Sequence, residues 1–182
     1  MNWLHTIVIL VAVFLTVLWE AAFPGLRHLL GAQIDLLPAI VVYAGLRAGL
    51  LSVGLVAFCG GLWTDSLSAN PLGISVLPLF AAGLGVYGCR DVVLREQTFA
   101  QVVLGFSASA LVPVLTLVLL LTTGQNPLLG WGTIWQLFVM SVGGAVATPV
   151  FFVIFESVQR ALVHARPSQS SFRADREIRR GR

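Results

Sequence analysis

The sequence predicts an all-α integral membrane protein built as a bundle of six transmembrane helices. Of its 182 residues, 57% are hydrophobic and only 10% are charged, whereas a soluble domain of this length carries about 25% charged residues. The mean hydropathy is +0.90. No charged residue occurs in the stretch 97–155, and a bilayer span needs roughly 20 apolar residues. That stretch alone therefore accommodates two spans and the turn between them.

Six apolar stretches follow one another, separated by short turns, and each is interpreted as one membrane span. The predicted helices cover residues 3–19, 33–46, 48–64, 71–89, 98–122 and 132–155. The second is short for a bilayer core of ~30 Å and contains Asp35 and Pro38. Fusing it with the third would place Arg47 within the bilayer, which is costly. Pro113 and Pro149 fall inside the fifth and sixth helices, where proline is expected to produce kinks.

The arginines predict the orientation of the chain in the membrane. All eleven basic residues are arginine, and with six spans every arginine except Arg27 falls on the same side as the two termini. Because cytoplasmic segments are enriched in arginine and lysine, we expect both termini to lie in the cytoplasm. Residues 1–160 then form the transmembrane domain. Residues 161–182 form an Arg-rich cytoplasmic tail, expected to be disordered, which contacts either anionic lipid or a cytoplasmic partner.

The sequence predicts no catalytic activity and no metal or cofactor. It contains no HExxH, GxSxG or DxD motif, and its three histidines are widely scattered. The absence of lysine excludes a Schiff-base lysine and a P-loop lysine. Nothing indicates nucleic-acid binding. The remaining acidic residues at the helix ends are expected to be solvated charges near arginines; they are Glu20, Asp91, Glu96 and Glu156.

Small residues recur along three of the predicted helices and indicate close helix contacts. In lipid no hydrophobic effect drives helices together, so a close approach of backbones supplies the packing. Two interpretations stay open: contacts inside the bundle, and docking of a helix from another protein. The residues concerned are Gly54, Gly60 and Gly61 in the third helix, Gly83, Gly85 and Gly88 in the fourth, and Gly143, Gly144 and Ala147 in the sixth.

The stretch GLWTDSLSANPLG, residues 61–73, places one carboxylate between two very apolar helices. Asp65 is expected either to accept hydrogen bonds from amides of the turn or to lie near the positive N-terminus of the next helix. Asn is a favoured N-cap residue and Pro a favoured first helical residue. Asn70 and Pro71 therefore predict that the fourth helix begins at Pro71.

Residues 35–91 combine these features in a recognisable order. A span containing a proline follows an acidic residue, G-L-x-x-D ends the next span, and P-L-G opens the one after it. This pattern resembles the rod shape-determining protein MreD family, whereas the last two spans and the tail carry no such signature. The residues that carry the resemblance are Asp35, Pro38, Gly61, Leu62, Asp65, Pro71, Leu72 and Gly73.

The resemblance implies a non-catalytic scaffold of the bacterial cell-elongation (rod) complex in the inner membrane, acting in peptidoglycan synthesis and cell shape. Its implied main partner is MreC, whose single membrane helix leads to a periplasmic domain. The wider assembly contains MreB, RodZ, RodA and a penicillin-binding transpeptidase. The implied fold is like that of the substrate-binding subunits of energy-coupling-factor transporters. We expect a glycine-rich face to bind the MreC helix and the loop from Asp65 to Gly73 to face the periplasmic segment of MreC.

A second hypothesis from another class is the capture subunit of a vitamin transporter of the energy-coupling-factor type. Such a protein needs a pocket with several polar groups beneath the outer loops. The sequence offers few candidates for that pocket: Asp35, Asp65, Asn70, Gln125, Asn126 and Gln136. A ligand that copurifies with the protein would favour this hypothesis over the scaffold.

Overall fold

The computed structural model describes residues 3–22, 31–68, 71–90, 98–124 and 130–164, and these residues form six α-helices. The helices are α1 (Trp3–Ala22), α2 (Leu37–Arg47), α3 (Leu50–Leu67), α4 (Val76–Cys89), α5 (Thr98–Thr122) and α6 (Trp131–His164). Four of them are long and apolar enough to cross a membrane: α1, α3, α5 and the part of α6 that ends at Ala161. The predicted all-helical membrane architecture is thus confirmed at this level.

The short helix α2 is the centre of the bundle. Every residue from Leu37 to Leu46 is buried, and α2 packs against each of the other five helices. A helix that is apolar on all sides is stable when it is surrounded by protein. The other helices pack around it in the order α1, α3, α4, α5, α6, each against the next.

The outside of the bundle is covered by large apolar side chains, as expected of a surface that faces lipid. Phe99 is 78% exposed and Trp131 is 83% exposed. Along α1, Ile7, Val11 and Phe14 form an exposed apolar row on one face. In water such a surface would be unfavourable, because burial of apolar area stabilises a protein by roughly 25 cal/mol per Å². The bundle is therefore suited to a hydrocarbon environment.

Successive helices run in alternating directions, so the bundle has two distinct ends. The C-terminal parts of α1, α3 and α5 and the N-terminal parts of α2, α4 and α6 line one common cavity. We call this end of the bundle the Asp65 end. The opposite end, which holds the C-terminus of α2, is called the Arg47 end.

The helix boundaries agree with the predictions in part. The fifth helix, 98–122, is confirmed, and Pro113 and Pro149 do lie inside α5 and α6. Helix α6 has 34 residues and is about 51 Å long at ~1.5 Å per residue, which exceeds the ~30 Å of a bilayer core. The helix continues past the predicted domain boundary at 160/161 to His164, while its apolar, membrane-crossing part ends at Ala161.

Several predictions fall on residues outside the described ranges. They concern Asn70 as an N-cap, the turn residues Gln125 and Asn126, the charges of Asp91 and Glu96, and the tail beyond His164.

Candidate functional site

Asp65 joins the end of α3 to the start of α4. It lies in the last turn of α3 and its side chain is almost fully buried, with 2% exposure. Its Oδ2 accepts hydrogen bonds from the backbone N–H groups of Gly73 (2.8 Å) and Ser75 (3.0 Å). Its Oδ1 accepts a third hydrogen bond from the hydroxyl of Ser75 (2.5 Å). The expectation that this carboxylate binds amides of the turn is confirmed.

Helix α4 begins at Val76, so the prediction that it begins at Pro71 is wrong. Residues 71–75 form turns instead, in which Ile74 N–H donates to the carbonyl of Pro71 and Val76 N–H donates to that of Gly73 (both 3.3 Å). Gly73 has φ +92°, a left-handed conformation that glycine adopts without penalty and that cannot continue a right-handed helix. The attraction of Asp65 for the Gly73 and Ser75 amides stabilises these turns.

The other residues of the MreD-like pattern lie on α3, on its connection to α4, or at and just before the start of α2. A Cβ added at Gly61 would lie 2.8 Å from the Cα of Val76, so Gly61 lets α3 and α4 touch where α4 starts. Pro38 is buried in the first turn of α2, where its missing N–H costs nothing. Pro71 and Leu72 are exposed. The exposed residues of the pattern are therefore apolar.

The burial of Asp65 changes the role expected for this residue. A side chain with 2% exposure offers no surface to another protein, so Asp65 positions the turn and does not itself bind. The large apolar side chains exposed nearby are Leu67, 57% exposed, and Leu72, 72% exposed. Ser66 and Ser68 are exposed as well, so the described part of this turn offers both apolar and polar surface.

A cavity of about 710 Å³ lies at the Asp65 end, within the range of roughly 300–1,000 Å³ typical of small-molecule pockets. Apolar side chains from α1, α2, α5 and α6 line most of it, among them Val17, Leu37, Leu117 and Leu137. Its polar lining comprises Glu20, Gln33, Asp35, Thr64, Ser68, Ser75, Thr116, Thr133 and Gln136. We call it the Glu20–Asp35 cavity.

The shortness of α2 explains why this cavity exists. With 11 residues, α2 is only about 16 Å long at ~1.5 Å per residue, roughly half of a bilayer core. The surrounding helices α1, α3, α5 and α6 are longer. The place that a full-length central helix would fill is therefore left to the non-helical residues 31–36 and to the cavity.

Two carboxyl groups face this cavity at the N-terminus of α2. Glu20 Oε1 accepts a hydrogen bond from the Leu36 N–H (2.7 Å), and Asp35 Oδ1 accepts one from the Leu37 N–H (2.9 Å). Amides at a helix N-terminus lack partners within the helix, so the carboxyls satisfy two of them. No arginine of the described residues forms an ion pair with either carboxyl.

Glu20 is the cavity residue that sequence reasoning missed, because it was expected to be a solvated charge near an arginine. The structure places it in the last turn of α1, bonded to the chain before α2. Its sequence neighbourhood, TVLWEAAF, contains no basic residue. This lack of an adjacent arginine is the sequence feature that could have indicated that Glu20 is not a charge paired at the membrane surface. Gln136 and Asp35, both candidates for a polar pocket, do line the cavity, whereas Asp65 is not among its lining residues.

Most of the glycines singled out in the sequence serve contacts inside the bundle. A Cβ at Gly60 would lie 2.7 Å from Leu37, one at Gly83 would lie 2.5 Å from Val53, and one at Gly143 would lie 2.7 Å from Ile34. At Gly144 it would collide with the side chain of Ser109 on α5. For these positions the interpretation as internal packing is correct.

Gly85 and Gly88 on α4 are different, because a Cβ at either would meet no atom within 4 Å. Both are exposed, as is Ala81 one turn before Gly85. The spacings of four and three residues place these positions on one face of the helix. Together with Leu77 and Leu84, which are 62% and 39% exposed, they form an outward surface that we call the α4 face.

At the Arg47 end, Tyr43 links α1 to α6 through α2. Its hydroxyl lies 3.1 Å from Nε2 of His5 and accepts a hydrogen bond from Nε2 of Gln159 (3.1 Å). Arg47 forms an ion pair with Glu156 (2.8 Å). These contacts fix the C-terminal half of α6 against the central helix.

The arginines lie at one end of the bundle within the described ranges. They are Arg47, Arg90 and Arg160, at the C-termini of α2 and α4 and near that of α6. Among the described acidic residues, Glu20, Asp35 and Asp65 lie at the other end, whereas Glu156 pairs with Arg47.

No group of three or more potential metal-ligating side chains occurs among the described residues. In comparisons with known proteins, no family model matches the chain, and no curated protein and no solved structure matches it significantly.

Proposed function

We propose that this protein is a non-catalytic, six-pass membrane scaffold of the bacterial cell-elongation complex, resembling the MreD family, and that it binds the membrane helix of MreC. The observation that carries the proposal is the α4 face: two exposed glycines and an alanine on the helix that begins at the turn held by Asp65. Four of the MreD-like residues, Asp65, Pro71, Leu72 and Gly73, belong to that turn.

The composition of the α4 face favours a helix as its occupant. Glycine inside a helix destabilises it by roughly 0.5–1 kcal/mol relative to alanine, and among the described residues no atom lies close enough to Gly85 or Gly88 to require the absence of a Cβ. Their small size does allow another helix to approach closely, as in small-xxx-small interfaces of membrane helices. Ala81 and Gly85 have this spacing. The MreC helix is proposed to lie along the α4 face.

The orientation of the protein supports the same arrangement. Arginines are enriched on the cytoplasmic side of membrane proteins, so the Arg47 end is assigned to the cytoplasm and the Asp65 end to the periplasm. The exposed side chains of Leu67 and Leu72 then lie at the periplasmic membrane surface beside the start of α4. That is where the MreC helix continues into its periplasmic segment.

The test is copurification of tagged MreC with variants of this protein from the same membranes. Gly85→Leu combined with Gly88→Leu is expected to reduce recovery with MreC at least several-fold, because the added side chains keep a second helix at a distance. Gly132→Leu is the matched control, since Gly132 on α6 also has no atom within 4 Å of an added Cβ. If the folded double variant binds MreC as the control does, the α4 face is not the docking site.

The alternative is a small-molecule capture subunit of an energy-coupling-factor type transporter, and the observation in its favour is the Glu20–Asp35 cavity of about 710 Å³. A capture subunit would release a stoichiometric vitamin on denaturation or melt at a higher temperature with one member of a vitamin panel. Recovery of MreC without any such ligand would favour the scaffold.

A further inference from the structure

We propose that the Glu20–Asp35 cavity binds a small organic cation, an ammonium or guanidinium group on an apolar body. This inference is independent of the α4 face and of MreC. It combines the volume of the cavity, its mostly apolar lining and two carboxyl groups that accept hydrogen bonds from adjacent backbone amides.

The carboxyl groups retain hydrogen-bonding capacity toward the cavity. Each uses one oxygen to accept a backbone N–H at the start of α2, and an ionised carboxylate accepts up to about four hydrogen bonds over its two oxygens. Within the described part of the chain, Glu20 Oε2 and Asp35 Oδ2 accept no hydrogen bond. They are the groups available to a ligand.

The charge of the site selects the class of ligand. Two neighbouring carboxyl groups removed from water do not both ionise unless a positive charge pairs with them, and the described arginines all lie at the opposite end of the bundle. The N-terminus of α2 compensates them in part, because a helix N-terminus carries about half a positive charge. A ligand cation supplies the remaining positive charge, and an ammonium group also donates three hydrogen bonds. An anion would be repelled.

The remaining lining fits the body of such a molecule. Val17, Leu79, Leu117 and Leu137 approach from four different helices, and pockets for small ligands are typically apolar with a few placed polar groups. Seven neutral polar residues, among them Gln136 and Thr116, also line the cavity and can bond to polar groups of the ligand. The ligand is therefore expected to be an amine with an aliphatic or aromatic portion, not an inorganic cation.

The experiment measures equilibrium binding of charge-matched probes to the full-length protein in nanodiscs of zwitterionic lipid. The probes are phenethylammonium, butylammonium and phenylguanidinium, with 2-phenylethanol and 3-phenylpropionate as the neutral and anionic counterparts. We expect saturable one-to-one binding of at least one cation and none of the counterparts. Glu20→Gln and Asp35→Asn keep an oxygen for the amide of α2 but lose the charge. Each should weaken binding about tenfold or more, since a charged hydrogen bond contributes roughly 1.5–3 kcal/mol.

Glu156→Gln is the control, because Glu156 is a carboxyl at the opposite end that pairs with Arg47; it should leave binding unchanged. Thermal melting of each variant reports whether it folds. The proposal is overturned if no cation of the panel binds saturably, if 2-phenylethanol binds as well as phenethylammonium, or if folded Glu20→Gln and Asp35→Asn both bind like the wild type. None of these results bears on recovery with MreC.

Discussion

Oδ2 of Asp65 accepts a hydrogen bond of 2.8 Å from the backbone N–H of Gly73, eight residues further along the chain. The bond closes the connection between α3 and α4 on a buried carboxylate. It also explains why Asp65 and Gly73 occur together in the MreD-like pattern. The carboxylate accepts hydrogen bonds from backbone amides of the turn, and the turn needs a residue with positive φ at position 73.

Removing the carboxylate should destabilise the protein without removing any surface contact. Asp65→Ala leaves the Gly73 and Ser75 amides and the Ser75 hydroxyl without their acceptor, and we expect a loss of about 3 kcal/mol, since hydrogen bonds to charged groups contribute roughly 1.5–3 kcal/mol each and are not additive. The measurement is the free energy of unfolding in detergent. Asp65→Asn, which keeps one accepting oxygen, should lose less. A wild-type unfolding curve for Asp65→Ala would contradict the assignment.

Gly73→Ala tests the backbone conformation of the turn. An added Cβ meets no atom within 4 Å, so steric conflict with the rest of the protein is excluded, and the cost comes from φ +92° alone. We expect a destabilisation of about 1–2 kcal/mol. Gly88→Ala is the control: its Cβ is equally unobstructed but its position is helical, so the same change should stabilise by roughly 0.5–1 kcal/mol. In one melting experiment we expect Gly73→Ala to lower the melting temperature and Gly88→Ala to raise it. Equal shifts would contradict the conformational strain assigned to position 73.

The sequence predicted the helices whose apolar runs have the length of a bilayer. Helix α5 has the expected bounds, because its long apolar run by itself indicates where a membrane span begins and ends. The start of α4 was predicted five residues too early, at Pro71, since local capping rules favour Asn-Pro as a helix start. What moved the start to Val76 is a tertiary contact, the acceptance of the Gly73 and Ser75 amides by Asp65, which no local pattern contains.

The cavity was harder to predict for a related reason. Its existence depends on α2 being central and short, and its polar groups come from helices far apart in the sequence. Asp35 was identified because it interrupts an apolar run, whereas Glu20 stands at the end of one, where charges are ordinary. Distinguishing glycines that face the bundle from those that face outward likewise requires the positions of the neighbouring helices. Gly83 and Gly85 are two residues apart in the sequence but lie on opposite sides of α4.

Gly105 tests the contact between α5 and α6. A Cβ there would lie 2.7 Å from the carbonyl oxygen of Gly144 and collide with the side chain of Thr148. Gly105→Ala is therefore expected to separate the two helices and destabilise the protein by about 1–3 kcal/mol, as overpacking typically does. Gly85→Ala introduces the same atom where none lies within 4 Å and should not destabilise. If the melting temperatures in detergent fall equally for both variants, the contact between α5 and α6 does not explain the destabilisation by Gly105→Ala.

The position of the arginines predicts which end of the bundle faces the periplasm. Ser66 is exposed in the last turn of α3, and Ala161 is exposed on α6 beyond Arg160. In a background with Cys59 and Cys89 replaced by alanine, Ser66→Cys should react with a membrane-impermeant maleimide on spheroplasts. Ala161→Cys should react only after permeabilisation, because arginine-rich ends stay in the cytoplasm. The reverse labelling would place the start of α4 on the cytoplasmic side, away from the periplasmic segment of MreC. The proposed docking of MreC along the α4 face would then have the wrong orientation.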